Sequence, residues 1–79
     1  MELFHRIADR SSSKVRLFVV ERGLEAEIHF RNVDFAEAAQ ALAAHGGTGV
    51  PALWDGQLLT EGAEAIISRL LAYLDVGRD

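Results

Sequence analysis

A chain of 79 residues with a formal net charge of −4 and no cysteine excludes disulfides, thiolate metal sites and a nucleophilic thiol of its own. The length gives room for one domain, 1–79, and 49% apolar residues with a single proline are the composition of an ordered globular chain. Apart from Arg6, Arg10, Lys14 and Arg16 the cations are scattered, so no nucleic acid is expected as a partner, although a small anion is compatible with that local group.

Residues 2–7 place Leu3, Phe4 and Ile7 in a short apolar segment that reads as a buried strand. With so little apolar length before Arg6, and no later run of about 18 apolar residues, neither a signal peptide nor a membrane span is expected, and the chain reads as cytoplasmic. From Ser12 or Ser13 the pattern becomes helical: Val15, Val19 and Arg22 share a side, Leu17 and Phe18 lie beside them, and Gly23 stands at the position of a C-terminal cap.

The next segment, LEAEIHF over residues 24–30, alternates Ala26, Ile28 and Phe30 with Glu25, Glu27 and His29, which predicts a half-buried strand whose charged face suits a sheet edge. Asp34 with Glu37 three residues later predicts an N-terminal cap. The alanine-rich run 35–44 that follows is a strong helix former, stopped by Gly46 and Gly47.

In VPALWDGQLLT two apolar runs flank Asp55-Gly56, the pair favoured where both turn positions need positive φ, so a two-residue β-hairpin is expected. Ile66, Ile67, Leu70, Leu71 and Leu74 then recur at helical spacing behind Thr60, Glu61 and Glu64, predicting an amphipathic terminal helix with Gly77 beyond its end. The order is βαβαββα. A strand–helix–strand unit of this length implies a parallel pair, and the hairpin adds an antiparallel one, giving a four-stranded mixed sheet with helices on both faces.

That order, together with KVRLFVVERGLEAE, TGVPAL and DGQLLTEG, resembles the thioredoxin-fold N-terminal domain of the glutathione S-transferases and, more loosely, the glutaredoxins. The likeness spans nearly the whole chain. It implies a thioredoxin-like α/β fold, a cis peptide bond before Pro51, and glutathione as the ligand, with the backbone of Val50 meeting its cysteinyl part. The family's Glu-Ser pair, which binds the γ-glutamyl group, is matched by Glu61-Gly62, so the serine hydroxyl is lost. The Ala-Ile pair that follows it stands one residue late, as Ala65-Ile66, which predicts a shifted or irregular helix start. Transferases also carry an all-helical domain that completes the electrophile pocket, and the 79 residues hold none.

Aligning KVR without a gap puts Asp9 where the family carries its catalytic Ser or Cys, and Ser12 where the second Cys of CxxC would stand. Thiol–disulfide exchange needs a thiolate to attack sulfur, so the glutaredoxin reaction is excluded. A transferase needs only to stabilise the thiolate of bound glutathione. Asp9 opposes that by like-charge repulsion, which leaves Ser11 or Ser12, Arg10, Lys14 and the helix N-terminal N–H groups as the means of activation.

The plain reading of SSS is that one serine caps the helix. The functional reading makes Asp9, Arg10, Ser11, Ser12, Lys14, Val50, Pro51, Glu61 and Gly62 a residual glutathione or anion site. His5, His29 and His45 lie on different elements without paired spacing, so no metal is expected. His5, ending the first strand near Asp9, is the histidine placed to matter, and Trp54 reads as a packing residue.

The resulting expectation is a cysteine-free binding or interaction module without redox chemistry, taking a small anionic thiol ligand. A homodimer or another protein partner is expected to use the face of the first and last helices. The alternative is a minimal glutathione-dependent transferase using Ser11 or Ser12 and completed by a partner chain.

Overall fold

The computed structural model describes residues 1–76. Its elements follow the expected order: β1 (Glu2–His5), α1 (Arg10–Glu21), β2 (His29–Asn32), α2 (Ala36–Ala44), β3 (Ala52–Trp54), β4 (Leu59–Glu61) and α3 (Ala63–Val76). The strands form one sheet in the order β2-β1-β3-β4, with β1 and β2 parallel and the pairs β1–β3 and β3–β4 antiparallel.

Alternation along the central strands sends neighbouring side chains to opposite faces. Leu3 and Leu53 pack with Val15, Val19, Ile66 and Leu70, so α1 and α3 cover one face. Phe4 and Ala52 pack with Val33 and Leu42, so α2 covers the other. Leu3, Phe4, Val15, Val19, Ile66 and Leu70 are wholly withdrawn from solvent, and burying each large side chain of this kind stabilises the fold by about 1.5–3 kcal/mol.

Both of the first two helices end as their glycines predict. After α1 the N–H of Leu24 donates to the Val19 carbonyl at 2.9 Å and that of Gly23 to Val20 at 3.1 Å. After α2 the N–H of Gly47 donates to Leu42 and that of Gly46 to Ala43, each at 2.9 Å. These are Schellman closures, which need a left-handed residue, and Gly23 and Gly46 supply it with φ of 67° and 84°.

Several boundaries differ from expectation. Helix α1 begins at Arg10, not at Ser12 or Ser13, and its cap is Asp9. The alternation of residues 24–30 is not that of a strand throughout. Glu27 N–H turns back to the Leu24 carbonyl at 3.0 Å, and pairing with β1 starts only at His29, opposite Glu2. Leu24 and Ile28 are still buried, but from a turn.

Asp34 does not cap α2. The N-cap is Phe35, without a side-chain bond, because the Asp34 carboxylate is engaged with Arg6 at 2.9 Å. The hairpin forms, yet its corner is Gly56-Gln57, closed by Asp55 N–H to the Leu58 carbonyl at 3.2 Å. Only Gly56 there has positive φ. Asp55 instead accepts from the N–H groups of Gln57 at 2.9 Å and Leu58 at 2.8 Å, and these bonds, with Arg69, hold its carboxyl below the usual range.

Helix α3 starts at Ala63, directly behind Gly62, whose φ of 95° is not that of an ordinary N-cap, so the start is irregular as expected. The Ile66 N–H reaches the Gly62 carbonyl at 3.0 Å, and Ile66 is fully buried. Gly77 lies outside the described residues.

Candidate functional site

Strand polarity brings the sequence-predicted residues to one end of the sheet. In the antiparallel register Phe4 of β1 lies opposite Ala52 and Ala52 lies opposite Glu61. The segment leaving β1 toward α1, the Val50–Pro51 step entering β3, and the Glu61–Gly62 step entering α3 therefore meet along the same edge. The Val50–Pro51 bond is cis, as expected. Pro51 is buried and Val50 half-buried.

At the α1 start, Asp9 adopts an extended conformation, φ −87° and ψ 125°, and its Oδ2 accepts from Ser12 N–H at 2.7 Å. This is an N-cap made by the acid, not by a serine. Bonding from the Ser12 hydroxyl and then its N–H, together with the charges of Arg6 and Arg16, holds the Asp9 carboxyl below the usual carboxylate range. At neutral pH this position carries a settled negative charge, the opposite of what an incipient thiolate requires.

Ser12 is fully buried, and its Oγ accepts from the Arg6 N–H at 3.2 Å. The hydroxyl thus ties the β1–α1 connection to the helix and is closed to a thiol arriving from solvent. Ser11 is exposed, as are Arg10 and Lys14, and neither of those two cations enters a salt bridge among the described residues.

The other two basic residues are engaged. Arg16 donates to the carbonyls of Arg6 at 3.1 Å and Ile7 at 3.3 Å and lies 3.0 Å from His5 Nδ1. It holds the β1–α1 connection in place from within the helix. His5 is buried and tilted against Phe30, ring centroids 5.5 Å apart. Desolvation first, and then the Arg16 charge, push its pKa below the ordinary value. The neutral imidazole accepts from Arg16 through Nδ1, so His5 serves as packing and as an acceptor.

On the opposite side of Pro51, the Glu61 carboxylate accepts from Thr48, from its N–H at 3.2 Å and its hydroxyl at 3.3 Å. Gly62 N–H donates to the Pro51 carbonyl at 3.0 Å. Both residues matching the family's Glu-Ser pair are thereby committed within the protein. The donors left at this end are the exposed N–H groups of the first turn of α3, the α1 start, and the N–H of Val50.

Trp54 packs as expected, though on a partner that spacing did not suggest: the His45 ring stacks on it at 3.9 Å and 15°. Among the described residues no group of three or more His, Cys, Asp or Glu side chains is placed to hold a metal ion, and no helix is long and apolar enough to cross a membrane. Two residues tie this end of the sheet together without a sequence signal of their own: Arg6, through Ser12 and Asp34, and Thr48, through Glu61. Arg6 was visible only as one of four cations, and Thr48 only as the residue before TGVP's glycine. No protein-family model, no curated protein and no solved structure matches the chain.

Proposed function

We propose that this chain is a cysteine-free thioredoxin-like domain of the kind found in glutaredoxins and at the N-terminus of glutathione S-transferases, working as a non-redox binding module with a residual glutathione or anion site. The observation that carries the reading is the meeting, at one sheet end, of two helix N-termini and the Val50–Pro51 step. Helix N-termini offer unpaired N–H groups and favour negative charge, and Arg10 and Lys14 add free cationic charge beside α1. Redox exchange is out of reach for a chain without cysteine.

Since Gly62 and Glu61 are used internally, the site is poorer than the family's, and weak binding in the millimolar range, about −4 kcal/mol, is expected. Calorimetric titration with glutathione tests this. Saturable heat that weakens when Arg10 and Lys14 are both replaced by Gln supports the site, and no heat at tens of millimolar overturns it. The transferase alternative narrows to Ser11, because Ser12 is buried. Turnover of a generic electrophile that Ser11→Ala abolishes would replace the binding reading with that one.

A second reading is favoured by the surface of the α1–α3 layer. Leu17 is 59% exposed, Val20 53% and Leu71 40%, and apolar side chains left in water on packed helices suit association with a second copy or another protein. Sedimentation of the wild type against Leu17→Lys tests it. A monomer for both at all accessible concentrations argues against self-association.

A further inference from the structure

On the α2 side of the sheet a cavity of about 240 Å³ lies between α2, the turn after β2 and residues 47–50, lined among others by Arg6, Val33, Leu42, Ala43, Thr48 and Val50. Its floor belongs to the apolar cluster of Phe4, Val33, Leu42 and Ala52. The space is open to solvent on one side, so it suits a small ligand that leaves part of its surface in water.

A cation stands at this space, whose lining is polar on the side of Arg6 and residues 47–49 and apolar on the side of Val33, Leu42 and Ala43. Arg6 gives its Nε to Asp34 Oδ1 at 2.9 Å, which fixes one edge of the guanidinium, while the two Nη groups have no acceptor among the described residues. Its side chain is about half exposed, at 49%, so it lies at the rim of the cavity. The N–H groups of Gly49 and Val50 likewise have no protein acceptor among the described residues. A guanidinium with a free pair of donors matches a carboxylate in two parallel bonds.

We propose that this cavity binds a small monocarboxylate with a short branched aliphatic body, the carboxylate on the Nη edge of Arg6 and the aliphatic part on Val33, Leu42 and Ala43. Asp34 beside Arg6, and a net charge of −4 for the chain, set the specificity. A second carboxylate on the ligand meets like charge, so dicarboxylates bind less well. The site shares only Val50 with the glutathione reading and stands without it.

The test is a titration of the intact chain with isovalerate, followed by amide and Arg Nε–H NMR shifts. Saturable shifts confined to Arg6, Val33, Leu42, Ala43 and residues 47–50 are expected. The uncharged analogue 3-methylbutan-1-ol, and succinate, should each bind about tenfold more weakly. Arg6→Gln should weaken isovalerate about tenfold while Arg22→Gln, at the far end of α1, leaves it unchanged. Ala43→Leu, which adds bulk at the α2 wall of the cavity, should abolish the shifts while the melting temperature is kept.

No saturable shift up to about 50 mM isovalerate, which corresponds to less than about 2 kcal/mol of binding, overturns the proposal. So does equal binding of the alcohol, or binding untouched by both variants. Glutathione at the α1 start would instead move residues 11–14, so the two sites fail or succeed separately.

Discussion

Replacing Asp9 by alanine separates its role as a helix cap from any role in chemistry. Asp9→Ala removes the acceptor for Ser12 N–H, a bond of 2.7 Å, and leaves an orphan donor at the first turn of α1. Loss of such a cap costs about 1 kcal/mol, which in a domain of this size lowers Tm by about 4–8 °C. Asp9→Ser keeps a capping oxygen and should cost less. The pH dependence follows from the depressed pKa of the folded state. The stabilisation is fully present above the unfolded carboxyl pKa of about 3.9 and is lost as pH falls through the lower folded value.

Melting of wild type and Asp9→Ala by circular dichroism should therefore show the gap at pH 7 and a narrower one near pH 2. Equal stability at pH 7, or a gap that is the same at both pH values, would refute the assignment. For an anionic ligand the sign is reversed: removing the negative charge beside the α1 start should tighten glutathione, and a loss of binding would mean that Asp9 contacts it.

Two further outcomes follow from the same connection. Ser12→Ala leaves Arg6 N–H without its acceptor in a buried setting and should cost about 1–3 kcal/mol in urea denaturation, whereas Ser11→Ala, at an exposed position, should stay within about 0.5 kcal/mol. Equal effects would contradict the burial of Ser12. His5, with its pKa lowered by burial and by Arg16, should titrate below 6.5 when followed by its ring proton shifts. Its contribution to stability is complete above the unfolded value of about 6.5 and is lost as pH falls through the folded one. A midpoint at or above 6.5 would refute the neutral, Arg16-bonded state.

The parts of this fold that could be read from the chain are those fixed by near neighbours. Val15 and Val19 one turn apart, and glycines placed directly after both helices, determine where those helices lie and stop, because the closures involve residues five apart. The alternation in β1 likewise assigns Leu3 and Phe4 to opposite faces. Where a distant group decides, the pattern misleads. Asp34 has the spacing of a cap, but Arg6, 28 residues earlier, takes its carboxylate. Residues 24–30 alternate, but the turn closed by Glu27 N–H on the Leu24 carbonyl keeps residues 24–28 out of the strand.

The same division holds at the site. Bringing α1, Pro51 and α3 together is a matter of strand order and was implied by the resemblance. The occupation of Glu61 by Thr48 and of Gly62 N–H by Pro51 is a matter of tertiary contact that no local motif encodes. Asp9 is the case between them. An aspartate three residues before a serine at a helix start is a readable cap, and its register against a thiol position obscured it.

The central claim, a binding site at the shared end of α1, β3 and α3, is tested most directly by mapping amide NMR shifts during a glutathione titration. The account predicts saturable shifts at Ser11 to Lys14, Val50 and the first turn of α3, with millimolar affinity. Shifts absent at tens of millimolar, or confined to residues away from that sheet end, would contradict it.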